Sequence, residues 1–350
     1  MAGKKLRVGF VGTGGIASGA HFPGWEALAD RTEVVAVCDI SEKAGNAAAE
    51  KWGLPKKAVF ADYEEMLASS DLDIVDVCTP NVYHKGPVVA GLNAGCHVIV
   101  EKPVAVSAAE VEEMIAARNR SKKLLMVAQS MRFSAEALAA KKFVDDGGCG
   151  PIYWAKAEYL RNRGVPAWGT FIDADMSAGG PCYDLQVHVL DLCLHLMGFP
   201  EPVSVSANYW LEIADKPSVM AHDPKKYTVP EDLAAGFVRF KNGACISMGA
   251  SWALNCPDTI HNVSVFGPKG GVNMAPFTLS REENGMFTVT QPKVVPRAGI
   301  KSHSEEIRQF VEAIQTGNAS PVPPEQAIVT QKILDAIYES GDKGREIKIK

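Results

Sequence analysis

Short apolar runs alternate with amphipathic stretches over the first 130 residues of this 350-residue chain. The apolar runs have the length of buried strands, and the stretches between them carry apolar residues at helical spacing. Strands separated by single helices pair in parallel through right-handed crossovers, which produces a doubly wound sheet. The apolar runs are LRVGFVG, EVVAVCD, DIVDVCTP, HVIVEKP and LLMVAQS. The pattern therefore predicts an α/β fold.

The rest of the chain has a different pattern. A helical segment to Asp146 precedes the alternating run PIYWAKAEYLR, and Asn242-Gly243 and Asn284-Gly285 each lie between alternating runs, which indicates hairpin turns. Two amphipathic helices, SEEIRQFVEAIQTG and PEQAIVTQKILDAIYESG, come last. We therefore expect a parallel-sheet domain over residues 1–130. A second α/β domain over residues 131–350 should hold an open, mostly antiparallel sheet.

Composition and charge exclude several classes of partner. Apolar residues make up 47% of the chain, and the net charge is −5 with Lys and Arg scattered, so neither nucleic acid nor an anionic membrane is expected as a partner. The sequence contains no run of about 18 uncharged apolar residues, the length that a membrane span needs. MAGKKLRVGF has no apolar stretch of the kind found in a secretory signal. The eight cysteines form no C-x-x-C pair. We expect buried free thiols in a cytoplasmic protein, without disulfides or structural zinc.

A glycine-rich turn follows the first strand directly. In Gly12-x-Gly14-x-x-Ala17, the first glycine allows a tight turn, the second lets a pyrophosphate approach the backbone, and the small alanine lets the helix pack on the strand. Asp39 ends the second strand, where a carboxylate binds ribose hydroxyls and repels a 2′-phosphate. The motif predicts NAD rather than NADP as cofactor, although Lys43 could meet a phosphate. The alternative is a glycine-rich loop without a cofactor.

Other residues near this turn and at later strand ends are expected to contact the same cofactor, because ligands bind at the carboxyl ends of such strands. His84 opens a helix and could instead only cap it or pack there. Pro103 disfavours helical geometry at Lys102, which should therefore be extended at the sheet edge, unless Glu101 and Lys102 are only a surface pair. The further predicted cofactor residues are Gly15, Ile16, Ser41, Thr79, Pro80, Asn81, His84, Glu101, Lys102 and Gln129.

The segment GGPCYDLQVHVLDLCLHLMG places four ionisable side chains on one stripe of an otherwise apolar helix. A buried ionisable group without a partner costs several kcal/mol, so Asp184, His188, Asp191 and His195 need a reason to be there. Histidine suits proton removal from an alcohol near neutral pH. Asp191 and His195 lie deeper and are interpreted as structural. A metal site at Asp184, His188 and Asp191 is an alternative, but no cysteine or histidine cluster supports it, and no metal is predicted.

These motifs give the chain its resemblance to a known family. With GTGGIA, CTPNVYH, VEKP and GGPCYDLQVHVLD in order, the whole chain resembles the glucose–fructose oxidoreductase / inositol dehydrogenase (Gfo/Idh/MocA) family. The resemblance implies a Rossmann domain joined to an α/β domain whose open sheet forms homodimers or homotetramers. It also implies hydride transfer between a nicotinamide and a carbon of a sugar or cyclitol. One departure is GGP, where many members have a third glycine.

The resemblance also assigns catalytic roles. Lys102 would contact the substrate hydroxyl and the nicotinamide, His188 would accept the proton, and Asp184 would orient the substrate or His188. The Lys102–Pro103 peptide would be cis, as in many relatives.

The loop YLRNRGVPAWGTF, just before this helix, is expected to carry specificity, because arginine and tryptophan suit sugar hydroxyls and sugar faces. Trp168 could instead fill the domain junction. The predicted substrate-binding residues are Arg132, Arg163, Trp168, Asp184 and His188; Arg161 of the same loop and His303 are further candidates.

The leading hypothesis is an NAD-dependent dehydrogenase of a sugar, glycoside or cyclitol. A redox-neutral enzyme that oxidises C3 of a glycoside, eliminates the aglycone and reduces the sugar again would use the same residues. A non-catalytic NAD-binding regulator is a third hypothesis, but it would need none of Lys102, Asp184 and His188.

Overall fold

The computed structural model describes residues 4–294 and 301–349, so the start of MAGKKLRVGF lies outside the described residues. The chain forms two compact units with a boundary after Ser130, and a later segment that ends at Ile328 belongs to the first unit. The reason is packing: the side chain of Ile307 in this segment lies against Gly24 of the first unit, and it is fully buried. The division into functional domains over residues 1–130 and 131–350 stays a prediction.

The strands form two separate sheets. The first has six parallel strands in the order β3-β2-β1-β4-β5-β6, and the second has nine strands in the order β14-β13-β12-β11-β7-β10-β9-β8-β15. The strands are β1 Leu6–Val11, β2 Thr32–Cys38, β3 Val59–Phe60, β4 Ile74–Val77, β5 His97–Glu101, β6 Leu125–Ala128, β7 Trp154–Leu160, β8 Pro202–Trp210, β9 Leu233–Phe240, β10 Cys245–Ser251, β11 Ile260–Phe266, β12 Gly271–Met274, β13 Phe277–Glu283, β14 Met286–Thr290 and β15 Ile347–Lys348.

The strand order of the first sheet is that of a Rossmann fold, which confirms the predicted doubly wound sheet. The second sheet is antiparallel apart from the parallel pair β7 and β10, so the mostly antiparallel prediction is also confirmed. Its predicted hairpins are present, and Gly243, Asn284 and Gly285 have the positive φ angles that tight hairpin turns require. The two-residue strands β3 and β15 were not predicted, because each is too short to show alternation.

Helices lie between the strands of the first sheet and pack on the second. Several begin at a side-chain cap: Asp62 accepts the backbone N–H groups of Glu64 and Glu65 at the start of α3. The helices are α1 Phe22–Glu26, α2 Glu42–Trp52, α3 Tyr63–Ser69, α4 Lys85–Asn93, α5 Ala108–Ser121, α6 Ala135–Asp145, α7 Ala174–Ser177, α8 Val187–Met197, α9 Ser302–Thr316 and α10 Pro324–Lys343. Among the helices of the described residues, none combines the length and the apolarity that a membrane crossing needs.

Several large apolar side chains of the second sheet are exposed. Phe287 on β14 is 73% exposed, and Met286 and Val289 on the same strand are exposed as well. Copies of the chain are predicted to associate through this sheet. Self-association stays a prediction.

A buried ion pair lies inside the second unit. The guanidinium of Arg132 donates to both carboxylate oxygens of Asp191 on α8, at 2.6 Å each, and the two side chains are 2% and 1% exposed. The Arg132 guanidinium also lies over the ring of Phe199. Asp191 thus forms an internal salt bridge, which fits the structural role predicted for it. Arg132 is thereby engaged within the unit, and its contact with substrate stays a prediction.

We predict that Arg132→Met destabilises the second unit strongly, because it leaves the Asp191 carboxylate buried without its cation. The expected loss is about 3–5 kcal/mol in the free energy of unfolding, measured by urea denaturation. The control is Lys241→Met, which breaks the exposed pair with Glu201 and should cost less than about 1 kcal/mol. Equal losses in the two variants would contradict the prediction.

Candidate active site

The backbone of the glycine turn is closely packed at Gly12, whereas the space beside Gly14 and Gly15 is open. Gly12 has φ +87°, and a Cβ there would lie 2.7 Å from the backbone carbonyl of Cys78, so only glycine fits. A Cβ at Gly14 or Gly15 would meet nothing within 4 Å. The turn therefore has a tightly packed base and an open rim, as a backbone cradle for a pyrophosphate needs. Ile16 follows the rim with its side chain 40% exposed.

Asp39 is tied directly to this turn. Its Oδ2 accepts hydrogen bonds from the backbone N–H and the hydroxyl of Thr13 at 2.8 and 2.9 Å, and its Oδ1 accepts the backbone N–H of Ser41 at 2.8 Å. The Ser41 hydroxyl in turn caps α2. The carboxylate predicted to bind ribose thus lies beside the turn predicted to bind pyrophosphate, and the two fit one dinucleotide.

The other predicted cofactor residues follow β4, β5 and β6, whose carboxyl ends share one edge of the sheet. Thr79, Pro80 and Asn81 come after β4, and Gln129 comes after β6. Thr79 Oγ1 and Gln129 Oε1 are buried and have no hydrogen-bond partner among the described residues. Buried polar atoms are normally paired, so unpaired atoms at this edge are what a bound polar cofactor would satisfy. Contact of each residue with the cofactor stays a prediction.

Lys102 follows β5, and its peptide bond to Pro103 is cis, as the resemblance implies. The backbone N–H of Lys102 donates to Glu101 Oε2 at 3.0 Å, so Glu101 and Lys102 are more than a surface pair. His84, predicted to be either a cofactor contact or a packing residue, is fully buried. Its Nδ1 lies 2.8 Å from the carbonyl oxygen of Pro103, and its Nε2 lies 2.8 Å from that of Thr79. These contacts show that the His84 ring packs between the two carbonyl groups.

A buried polar cluster, which the sequence did not reveal, lies under this edge. His21 Nδ1 lies 2.8 Å from Asp76 Oδ2, and His21 Nε2 lies 2.8 Å from Glu101 Oε1. His21, Asp76 and Cys78 are the one trio of the described residues whose spacing would suit a metal ion. Both ring nitrogens of His21 already face carboxylates, which explains the spacing by hydrogen bonds alone. The alternative metal trio of Asp184, His188 and Asp191 is not among the groups brought together.

In the second unit, the stripe of ionisable side chains is present, but the helix that carries it begins with a π-helical turn that was not predicted. Residues Cys182–Gln186 are π-helical, and α8 continues from Val187. Asp184, His188 and His195 are partly exposed, whereas the residues around them are buried. Single π turns inside helices are frequent at functional sites. The helix therefore presents Asp184 and His188 near its start, as predicted.

Asp184 has a fixed partner that the sequence did not reveal. The indole N–H of Trp252 donates to Asp184 Oδ2 at 3.0 Å, and the Trp252 side chain is fully buried. Trp252 belongs to a small apolar cluster that also contains Leu185 and is packed by Phe171. His195 lies further along the helix, and burial lowers its pKa to about 3. His195 therefore stays neutral, which fits the structural role predicted for it.

A buried carboxyl group holds the start of this helix. Glu231 Oε1 accepts the backbone N–H groups of Gly180 and Cys182 at 2.9 and 3.1 Å, and the Tyr338 hydroxyl donates to the same oxygen at 2.8 Å. Pro181 between them has no N–H to satisfy. Burial raises the pKa of Glu231 to about 7, against the lowering effect of these hydrogen bonds. A Cβ at Gly180 would lie 2.3 Å from the Glu231 carbonyl oxygen, which explains that glycine.

The predicted specificity loop is only partly anchored. Arg163 donates to the carbonyl oxygens of Asn162 and Leu254 and to the side chain of Asn255. Trp168 is 67% exposed, and its ring meets that of Phe171 edge-on. Its aromatic face is therefore accessible. Arg161 bonds within the loop, and His303 lies in the first unit with its ring 6.5 Å from that of His21. Substrate contacts of these residues stay predictions.

Both parts of the sequence match one known family. Residues 6–129 match an oxidoreductase family with an NAD-binding Rossmann fold, and residues 141–349 match its C-terminal alpha/beta domain. The chain belongs to the Gfo/Idh/MocA oxidoreductase family. The resemblance based on the four motifs is thereby confirmed.

This Gfo/Idh/MocA protein is similar to characterised sugar and cyclitol dehydrogenases. It is 32% identical to a D-glucoside 3-dehydrogenase of Escherichia coli (strain K12), with 100% of this chain and 99% of that protein covered. It is 27% identical to an NADP(+) scyllo-inositol 2-dehydrogenase of Bacillus subtilis (strain 168), with 85% of each covered. An aldose-aldose oxidoreductase structure from Caulobacter crescentus is 25% identical with a TM-score of 0.82, covering 99% of this chain and 100% of that chain.

We predict that alanine substitutions at two glycines of the turn affect two different properties, folding stability at one position and NAD binding at the other. Gly12→Ala should lower the melting temperature, because its Cβ collides with the Cys78 backbone. Gly14→Ala should leave the melting temperature of the cofactor-free protein unchanged, because space is open there, yet weaken NAD binding by about ten-fold or 1.4 kcal/mol. Thermal unfolding and calorimetric titration with NAD measure the two effects. Undiminished NAD binding by Gly14→Ala would place the pyrophosphate elsewhere.

Proposed function

We propose that this protein is an NAD-dependent dehydrogenase that oxidises a secondary hydroxyl of a sugar, with glycosides as the leading substrate class. The observation that carries the proposal is the partly exposed pair Asp184 and His188 on an otherwise buried helix, in a chain that belongs to an NAD-binding oxidoreductase family. Similarity to a D-glucoside 3-dehydrogenase supports the glycoside class. The exposed aromatic face of Trp168 supports a sugar ligand as well.

The proposed chemistry divides between three side chains. His188 accepts the proton of the substrate hydroxyl, Lys102 polarises the hydroxyl oxygen, and Asp184 orients His188 or the substrate. The indole N–H of Trp252 fixes the Asp184 carboxylate at 3.0 Å, so this residue needs no rearrangement before substrate binds. When bound, NAD supplies the acceptor for the hydride that leaves the substrate carbon. Arg132, Arg163 and Trp168 are proposed to contact the sugar.

We predict that the protein binds NAD more tightly than NADP. The carboxylate of Asp39 is held beside the glycine turn by Thr13 and Ser41, where it would repel a 2′-phosphate. Dissociation constants for both nucleotides, measured by titration of the wild type and Asp39→Ala, test this. In Asp39→Ala, the ratio of the NADP dissociation constant to the NAD dissociation constant should fall by about ten-fold or more. Lys43→Ala is the control, since loss of NADP affinity there would show that Lys43 meets the phosphate. Tighter binding of NADP by the wild type would refute the preference.

We predict that His188→Ala and Lys102→Met each lower kcat by about two to four orders of magnitude, because each removes a proton-transfer or polarising group. NAD should still bind both variants. His195→Gln lies on the same stripe and is the matched control: it should lower the melting temperature and leave activity per folded molecule nearly intact. Steady-state kinetics and thermal unfolding measure both. If His195→Gln loses turnover while His188→Ala keeps it, the residue that accepts the proton lies nearer the other end of the helix than proposed.

The same assays distinguish the alternative functions. A dehydrogenase forms one reduced nicotinamide per oxidised sugar molecule. The redox-neutral alternative would release the aglycone of a chromogenic glycoside while added NAD stays oxidised. A regulator would bind NAD without turning over any member of a panel of sugars, cyclitols and glycosides.

A further inference from the structure

We propose that His21 and His84 are positioning residues that hold Lys102 from both sides of the tripeptide Glu101–Lys102–Pro103. The proposal rests on the proposed function, in which Lys102 acts on the substrate. The two histidines are fully buried in the first unit. Because neither ring is exposed, each histidine is proposed to act on the substrate only through the groups that it contacts.

His21 holds the residue before Lys102. Its Nε2 lies 2.8 Å from Oε1 of Glu101, while Oε2 of the same carboxyl group accepts the backbone N–H of Lys102 at 3.0 Å. On the other side of the ring, Nδ1 lies 3.0 and 2.8 Å from the two carboxylate oxygens of Asp76. Asp76 is fixed in turn by the indole N–H of Trp25 at 2.7 Å. A continuous chain of short contacts thus runs from β4 to the backbone of Lys102.

This chain requires a protonated ring. Ionised carboxylates only accept hydrogen bonds, so both ring nitrogens of His21 must donate. Burial lowers the pKa of His21, but the charge of Asp76, the neighbouring Cys78 and the hydrogen bond of Asp76 together outweigh burial and raise the pKa well above its ordinary value. Burial raises the pKa of Glu101, but the His21 contact outweighs it, so the pKa of this carboxyl group is lowered. The two shifts agree on a cationic ring between two carboxylates.

The groups that face His21 come from several elements. Burial raises the pKa of the Glu306 carboxyl group on α9 well above its ordinary value, so that group stays neutral, and its oxygens have no hydrogen-bond partner among the described residues. Burial also raises the pKa of the Cys78 thiol and lowers the pKa of His303. Among the described residues, the carboxyl groups of Asp76 and Glu101 are the ones within hydrogen-bond distance of the ring.

His84 holds the residue after Lys102. Its ring bridges the carbonyl oxygens of Pro103 and Thr79, both at 2.8 Å. Burial lowers the pKa of His84, and the hydrogen bonds to the two carbonyl groups act in the opposite direction. A neutral ring can donate to only one of the two oxygens at a time. Lys102 thus lies between two residues anchored by buried rings. A displacement of about 1 Å at a reacting group can cost about 100-fold in rate, so such anchoring has a measurable effect.

The test uses the full-length protein labelled with 15N in histidine. Both ring nitrogens of His21 should stay protonated across the pH range in which an ordinary histidine loses its proton, because the pKa of His21 is raised. The matched reference is His97 at the start of the same strand, whose Nδ1 accepts the Leu124 backbone N–H and whose pKa is lowered, chiefly by burial, to about 4. His97 should be neutral throughout this range. A neutral His21 ring in the wild type overturns the proposal without reference to activity.

Variants then measure the effect on Lys102. His21→Gln cannot carry the bridging charge and should lower kcat by about 10- to 100-fold, with the NAD dissociation constant little changed. The amide proton resonance of Lys102 should also move as its bond to Glu101 loosens. His97→Gln should keep kcat within a factor of about two. His84→Gln retains one donor and should lose less activity than His21→Gln.

The outcomes separate this proposal from the proposed function. Full activity in Lys102→Met would refute the role of Lys102 in catalysis, whatever the state of His21. A large loss in Lys102→Met combined with wild-type kcat in folded His21→Gln would refute the positioning role alone. Equal losses of kcat in His21→Gln and His97→Gln would refute it as well, since they would indicate general loosening of the unit.

Discussion

All strands of the first sheet point in the same direction, and the rest of the candidate site depends on this constraint. Parallel strands place their carboxyl ends at one edge, so the residues that follow each strand meet there even though they are far apart in sequence. The glycine turn, Asp39, Thr79, Lys102 and Gln129 each follow a different strand. No single loop could assemble these side chains. The edge collects them because hydrogen bonding between parallel strands fixes where each strand ends.

Charged groups inside both units are stabilised by specific partners rather than by solvent. In the second unit, Arg132 neutralises Asp191 under the apolar helix. In the first, His21 lies between Asp76 and Glu101. Buried charges are costly unless paired and hydrogen-bonded, so each cluster constrains the position of every element that contributes to it. Both clusters lie next to residues proposed to act in catalysis, and a rigid environment there favours a fixed geometry.

Local patterns predicted much of this molecule, and long-range contacts account for most of what they missed. The glycine turn, the hairpins at Asn242 and Asn284 and the stripe on the apolar helix depend on neighbours in sequence. The His21 and Asp76 pair joins residues 55 positions apart, so neither position alone indicated it. Apolar spacing also cannot distinguish a π-helical first turn from an α-helical one. The helix α9 belongs to the first unit, which its sequence could not indicate, because an apolar face shows that a helix packs but not on what.

The carboxyl group that caps the Asp184 helix comes from a residue about fifty positions later, Glu231. Two segments that look independent in sequence are thus joined by one oxygen atom, and the GGP departure from the family pattern lies at that joint. An exchange of the segment around Glu231 between relatives would therefore also alter the start of the helix that carries Asp184. A recombined chain consequently has to carry Gly180, Pro181 and Glu231 as one block.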